Sequence, residues 1–321
     1  MDKTFGWCFI GCGTLAKKVA KQITESGRHK IISVYSRNAE RTEQFAMQYN
    51  AAACRSAEDA ITMEGIQGVY VVTTHDIHYA YAKLALNLGK PVLCEKPFTV
   101  TSAQARELIT LAKEKQLYLA EAMWTWFAPV ANRVKLWLDN GEFGQIQNVV
   151  VNCRLDSKGY APRVTDPNAA GGALLDMGVY PITYLYRLFG KPQKIKCTGV
   201  VSDGIDWEED IEFQFPSGEC YSTSISIRDT NGGQKLIIEG TKARTEIPDF
   251  HYIEKAELVR SDGSMEQVSG DSDYLNEFDI VAAEITEGLK QSRFVPLNAT
   301  SDVMEIMDEC RAQLNLRYPF E

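Results

Sequence analysis

Phe5-Gly6-Trp7-Cys8-Phe9-Ile10-Gly11-Cys12-Gly13-Thr14-Leu15-Ala16 decides the fold. Six residues of a core strand run into G-x-G-x-x-A, and a helical pattern follows. That is the strand, tight turn and helix start of a dinucleotide-binding unit, with Ala16 in the place of the third glycine. Gly11 permits the turn, Gly13 lets the backbone come close to a pyrophosphate, and a small Ala16 keeps the helix near its strand. Cys12, Thr14 and Leu15 complete the cradle, whose free N–H groups and helix dipole face the phosphates. A second β-rich run, Ile31-Ile32-Ser33-Val34-Tyr35, follows about twenty residues on, where such a unit reads the ribose. It ends in Ser36-Arg37-Asn38, with no acid before Glu40. An acid there would take the 2′-hydroxyl of NAD, whereas Ser36 and Arg37 suit a 2′-phosphate, so NADP is the expected cofactor.

Working outward, 321 residues exceed what one hydrophobic core usually serves. The expected fold class is α/β: a Rossmann domain over residues 1–122, then an α+β domain over 123–321 with a large, mostly antiparallel open sheet. Strand and helix alternate to about residue 120. Helices are expected at Ala39–Asn50, Ala57–Met63, Tyr79–Leu88 and Ser102–Lys115, and strands at Gly68–Thr73, Pro91–Cys94 and Leu117–Ala120. β-rich runs separated by turns then follow, at Asn148–Arg154, Lys194–Ser202, Asp210–Phe215, Tyr221–Ile227 and Lys235–Glu239. A helix over Gly172–Phe189 leads into them, and Tyr274–Lys290 and Asp302–Leu314 close the chain. Such a sheet, with few helices to cover its second face, would leave an apolar patch exposed; a homodimer or higher homo-oligomer through that face is expected.

A net charge of −9 argues against nucleic acid as a partner. No apolar run is long enough to span a bilayer, and Met1-Asp2-Lys3-Thr4 passes into a strand with no signal-peptide pattern, so a cytoplasmic protein without a membrane partner is expected. The eight cysteines are scattered, with no C-x-x-C and no zinc-like spacing, which reads as free thiols and no metal.

Two clusters carry candidate chemistry. Glu95-Lys96-Pro97 follows a parallel strand, at the edge where an open α/β sheet takes its ligand. A lysine there can stabilise alkoxide character as hydride leaves; the plain alternative is a surface Glu-Lys before a loop proline. In Gly171-Gly172-Ala173-Leu174-Leu175-Asp176-Met177-Gly178-Val179-Tyr180, Asp176 and Tyr180 are four apart and share a helix face. An acid, a phenol and a lysine in one pocket can manage proton transfer. Without that pocket they are a satisfied polar residue and a packing aromatic. His75 reads as a loop residue, His78 as a cofactor neighbour or helix cap, Tyr184, Tyr186 and Phe189 as helix packing, and Trp207–Asp210 as a solvated turn. Arg163 is either a solvated loop residue or a substrate ligand.

With the Thr73-Thr74 loop before His78 and Gly89-Lys90-Pro91-Val92-Leu93-Cys94-Glu95-Lys96-Pro97, this ordered set resembles the Gfo/Idh/MocA oxidoreductases over essentially the whole chain. The second cluster resembles the branch of dimeric dihydrodiol dehydrogenases and xylose or glucose dehydrogenases, where tyrosine replaces histidine. The resemblance implies Lys96, Asp176 and Tyr180 as catalytic residues, with Tyr180 the acid/base and Asp176 orienting substrate. It implies Gly11, Cys12, Gly13, Thr14, Leu15, Ser36, Arg37, Thr73, Thr74, His78, Glu95 and Lys96 around the cofactor, and Trp126 and Arg163 toward substrate. Trp126 stands where relatives commonly carry arginine. The expected activity is hydride transfer between NADP and a hydroxyl or carbonyl carbon of a small sugar, polyol or cyclic diol. The alternatives are a reductase of another small carbonyl compound, or a cofactor-binding regulator of the same fold without catalysis.

Overall fold

The structure, a computed structural model, describes residues 4–158 and 162–321. Met1–Lys3, the start of the segment read above for a signal pattern, lies outside the described residues. The chain divides into two compact units, residues 1–124 with 273–301, and residues 125–272 with 302–321. The segment Asp273–Ser301, which the sequence reading assigns to the second domain, therefore belongs to the first unit.

In the first unit, β1 (Phe5–Ile10), β2 (His29–Tyr35), β3 (Ala52–Ala53), β4 (Gly68–Val71), β5 (Val92–Glu95) and β6 (Leu119–Ala122) form one sheet. Their order is β3-β2-β1-β4-β5-β6, all parallel. This is the doubly wound dinucleotide-binding arrangement, and its ligand edge lies at the carboxyl ends of β1 and β4. All six residues of β1 are buried. Phe9 meets Tyr70 edge-on with ring centroids 5.0 Å apart. Each such side chain contributes about 1.5–3 kcal/mol by leaving water. The helices α1 (Thr14–Glu25), α2 (Ala39–Tyr49), α3 (Ala57–Thr62), α4 (His78–Asn87) and α5 (Ser102–Lys115) connect the strands. Local chemistry sets their ends: Asn38 caps α2, Ser56 caps α3, and Thr101 with Gln104 forms a reciprocal capping box on α5. The helix Tyr274–Thr286 returns to this unit, where its Glu284 accepts from the Tyr118 hydroxyl at 2.6 Å.

The second unit holds α6 (Pro129–Asp139), β7 (Ile146–Arg154), α7 (Val179–Phe189), β8 (Lys194–Ser202), β9 (Ile205–Gln214), β10 (Cys220–Ser226), β11 (Gln234–Gly240), β12 (Ala243–Ile247), β13 (Lys255–Arg260) and β14 (Met265–Ser269). The sheet order is β14-β13-β12-β11-β7-β10-β9-β8, antiparallel except for the pair β7 and β10. Short, charged β12 to β14 and the helix α6 are additions to the sequence reading.

Three expectations are corrected here. Trp207–Asp210 is part of β9, not a solvated turn: alternation along this strand turns Glu209 inward with Ile211 and Phe213, and Glu209 is 1% exposed. The helix expected over Gly172–Phe189 begins with a wide π turn at Leu174–Gly178 and becomes α-helical only at Val179. Gly172 has φ +124, which no helix tolerates, and Pro181 lacks the N–H that would continue an α-helical ladder back to Met177. The outer sheet face is also not an apolar patch. Paired residues form a row across it, Lys196, Glu212, Ser222, Val150, Ile237 and Glu246. Only the two central positions are aliphatic, and ion pairs such as Lys196 with Glu212 at 3.5 Å flank them.

None of the eight cysteines is in a disulfide; six of them are buried, with Cys54 half-buried and Cys220 exposed. Among the described residues no helix is long and apolar enough to cross a membrane, and no group of three or more His, Cys, Asp or Glu is arranged to hold a metal.

Candidate functional site

The first unit builds a cradle at the end of β1. Gly11 has φ +118, and a Cβ there would lie 2.2 Å from the Val72 carbonyl oxygen, so the turn admits no side chain. Gly13 caps α1 without any side-chain cap, and the space over its missing Cβ is open to 4 Å. An uncapped helix start, with exposed Thr14 and half-buried Leu15 behind it, leaves N–H donors for an anion. A dinucleotide pyrophosphate fits this cradle. Cys12 is buried and its Sγ lies 3.1 Å from the Ser36 Oγ, which also lies 2.7 Å from the Thr42 Oγ1. The Ser36 hydroxyl is thus engaged within its own turn. Arg37 is exposed and has no ion pair among the described residues, so its charge is available to a ligand.

The Lys96–Pro97 loop after β5 is braced on several sides. Its peptide bond is cis. Glu95 accepts from the Tyr70 hydroxyl at 2.5 Å and from the Lys96 N–H at 3.2 Å. Glu121, from β6, accepts from the Phe98 N–H at 3.2 Å and from the Thr300 hydroxyl at 2.8 Å. Burial pushes the Glu121 carboxyl up to about 7, with Thr300, Phe98 and Lys96 opposing that rise and Glu95 adding to it. Glu277 lies fully buried in the same unit, and its carboxyl is held well above the usual range by burial and by Glu95 and Glu121. His78, the first residue of α4, does not cap its helix. Its ring reaches the Pro97 carbonyl oxygen at 2.9 Å and the Thr73 carbonyl oxygen at 3.2 Å. Thr73 and Thr74, half-buried, follow β4 on the ligand edge. Lys96 itself is 9% exposed.

In the second unit, Asp176 and Tyr180 are both buried, Asp176 in the π turn and Tyr180 one turn on in α7. Arg163 reaches Asp176 Oδ1 with both terminal nitrogens at 3.2 Å, so it is a partner of the candidate acid and not a solvated loop residue. Asp206, from β9, holds this segment from below: its Oδ2 accepts from the Leu174 N–H at 2.5 Å. A Cβ on Gly172 would lie 2.0 Å from the other oxygen. Glu209 lies beside it, held well above the ordinary carboxylate range by burial and by the Asp206 charge. His251 packs edge-on against the Tyr180 ring, with centroids 3.8 Å apart. Trp126 is 1% exposed, sits 4.5 Å from the Tyr184 ring, and carries the Arg187 guanidinium over its face at 3.8 Å. A cation is therefore present beside Trp126, supplied by α7 and anchored on Asn132 Oδ1 at 2.7 Å.

Sequence reasoning missed Glu121, Asp206, Arg187 and His251. Glu121 carried a signal, an acid inside the apolar strand Leu119-Ala120-Glu121-Ala122. His251 carried none, because it lies in the irregular segment after β12.

Residues 5–122 match the oxidoreductase family with an NAD-binding Rossmann fold, and residues 131–246 match the Gfo/Idh/MocA C-terminal domain. Trans-1,2-dihydrobenzene-1,2-diol dehydrogenase of Mus musculus is 30% identical over 329 residues, covering 98% of each chain. D-xylose 1-dehydrogenase (NADP(+)) of Hypocrea jecorina is 29% identical, covering 98% of this chain and 93% of the other. Among solved structures, a 3-ketoreductase from Actinomadura kijaniata in complex with NADP and TDP-benzene is similar in fold, with a TM-score of 0.84 at 20% identity over 97% of this chain and 98% of that one. With a six-stranded parallel Rossmann sheet, an eight-stranded second sheet and a full-length relative at 30% identity, the chain belongs to the Gfo/Idh/MocA family of NAD(P)-dependent oxidoreductases.

Proposed function

We propose that the protein transfers hydride between NADP and a hydroxyl-bearing carbon of a small sugar, polyol or cyclic diol. The observation that carries this reading is the buried pair Asp176 and Tyr180, stiffened by Arg163, in a family of oxidoreductases. Two relatives named for a cyclic diol and for D-xylose support the substrate class.

In the oxidative direction the Tyr180 phenolate takes the substrate's hydroxyl proton and becomes the phenol, and in reduction the phenol returns that proton to the substrate oxygen. The Lys96 ammonium donates to the same substrate oxygen and stabilises alkoxide character as hydride leaves. Asp176 accepts from a neighbouring substrate hydroxyl, which sets the ring orientation, and Arg163 fixes the carboxylate that does so. The backbone from Gly11 to Leu15 would hold the pyrophosphate, Arg37 would pair with the 2′-phosphate, and Thr73, Thr74 and Lys96 would line the nicotinamide end, with the buried His78 and Glu95 bracing those segments. The nicotinamide, when bound, supplies the hydride acceptor or donor. A homodimer formed through the outer face of the second sheet completes the proposal, with polar, ion-paired flanks around Val150 and Ile237.

A screen of aldoses, inositols and trans-diols, read at the nicotinamide absorbance, tests the activity. Tyr180→Phe removes one oxygen and is expected to lower turnover by ~10²–10⁴-fold with little change in NADPH affinity. Lys96→Met is expected to impair turnover similarly, and the double variant to lose less than the two effects combined. Near-normal turnover in Tyr180→Phe overturns its role as acid/base.

A further inference from the structure

His78 faces two acceptors and no choice of tautomer satisfies both. Its Nδ1 lies 2.9 Å from the Pro97 carbonyl oxygen and its Nε2 lies 3.2 Å from the Thr73 carbonyl oxygen. A neutral imidazole has one N–H and one lone pair, so either neutral form would aim a lone pair at a carbonyl oxygen. Only the imidazolium donates to both. The residue is fully buried, so water does not relieve the conflict. We infer that His78 is a buried, doubly protonated staple that ties the Thr73–Thr74 segment to the Lys96–Pro97 loop and thereby positions Lys96.

The place makes this costly and therefore informative. His78 is the first residue of α4, where the helix dipole disfavours a positive charge. Both carbonyl oxygens accept from the charged ring, and charge-assisted bonds are the stronger kind. Neighbouring titratable groups are His75, whose ring centroid is 5.8 Å away, Asp76 in the turn before α4, and Glu95 and Lys96 in the loop that His78 grips. What the staple joins gives it a purpose. Thr73 follows β4 and Pro97 follows β5, neighbouring parallel strands on the ligand edge of the sheet. With one donor instead of two, one of these segments loses its anchor. The consequence for catalysis rests on the proposed role of Lys96; the protonation state of His78 does not.

Long-range proton–nitrogen correlation spectra of the full chain labelled with ¹⁵N-histidine read the state directly. The sequence has four histidines, so His29→Gln, His75→Gln and His251→Gln assign His78 by elimination even if His78→Gln folds poorly. The expected result at neutral pH is that both His78 ring nitrogens carry protons, while Lys96→Met leaves that signature intact. His78→Gln keeps one donor and is expected to weaken NADPH binding about 10-fold and to lower kcat about 10-fold or more. A neutral His78 ring at neutral pH overturns the staple. Unchanged kcat and NADPH affinity in a folded His78→Gln overturns the positioning role. Normal turnover in Lys96→Met with a doubly protonated His78 instead refutes the assignment of Lys96, so the two failures are distinguishable.

Discussion

Replacing Glu121 with glutamine should stabilise the protein at pH 8 and leave it almost unchanged at pH 4.5. The side chain is 2% exposed and its two oxygens accept from the Phe98 N–H and the Thr300 hydroxyl. Those bonds only partly offset the loss of water, and the carboxyl is pushed up from 4.5 to about 7. The sign follows from proton binding. Below pH 4.5 the group is protonated in both folded and unfolded chains and costs nothing. Between 4.5 and about 7 the unfolded chain releases the proton that the folded chain retains, so stability falls as pH rises; above about 7 the full cost persists. The interval from 4.5 to about 7, at ~1.36 kcal/mol per pH unit, amounts to about 3 kcal/mol. Glu277, whose carboxyl burial and its acidic neighbours also hold well above the usual range, adds a slope of the same sign, but it does so in variant and wild type alike, so the difference between them reads Glu121. In Glu121→Gln the amide oxygen still accepts from Phe98 and the amide nitrogen can donate to Thr300. Urea unfolding followed by tryptophan fluorescence, with variant and wild type at both pH values, is the assay. The expected gain at pH 8 is about 2–3 kcal/mol. An equal effect at the two pH values refutes the reasoning, because a proton-independent packing change would produce that result.

Arg37→Ala should remove most of the preference for NADPH over NADH, since one charge-assisted phosphate contact contributes about 1.5–3 kcal/mol, a roughly 10-fold to 150-fold discrimination. Fluorescence titration of both cofactors checks it, and equal affinities in the unmodified protein would count against it. Gly172→Ala should destabilise by at least about 2 kcal/mol, because φ +124 strains any side chain and its Cβ would meet the Asp206 carboxylate that caps Leu174; a shifted urea midpoint reads this. Light scattering at micromolar concentration should show a species of twice 35.9 kDa that dissociates in Lys196→Glu combined with Lys235→Glu, whereas a monomer in the unmodified protein removes the proposed interface.

The first unit was legible because its signals are local. Gly11 must be glycine for a backbone reason, and β1 is a continuous apolar run because helices cover both faces of a parallel sheet. Lys96, Asp176 and Tyr180 could be singled out in the sequence as candidates, but their surroundings could not be read there. Whether Arg163 is solvated depends on where a loop folds back, and only the folded chain puts it on Asp176. The return of Asp273–Ser301 to the first unit is likewise a matter of tertiary packing, carried by Tyr118 with Glu284 and Glu121 with Thr300. β12 to β14 escaped notice because one face of each is charged and wet, as in Arg244, Glu246, Lys255 and Glu257.

The failures share a cause. Glu209 was read as part of a solvated turn, and Glu121, Asp206 and Glu277 were not singled out, yet these four and Glu95 are buried. A buried carboxyl needs either donors or a proton, and these five divide on that line. Glu95, Glu121 and Asp206 each accept from a backbone N–H of the segment they brace, respectively Lys96, Phe98 and Leu174. Glu209 and Glu277 reach no donor among the described residues, and burial and the acids beside them hold both carboxyls well above the usual range. The bracing acids can approach irregular backbone, a positive-φ glycine turn and a loop around a proline, because those segments have N–H groups that no helix or sheet ladder uses. Irregular backbone is also where Lys96, Asp176 and the cradle stand. The same unpaired N–H groups that free these segments from regular structure thus require buried acceptors beneath them, and an acid in an apolar strand, as at Glu121, marks where such a segment is held.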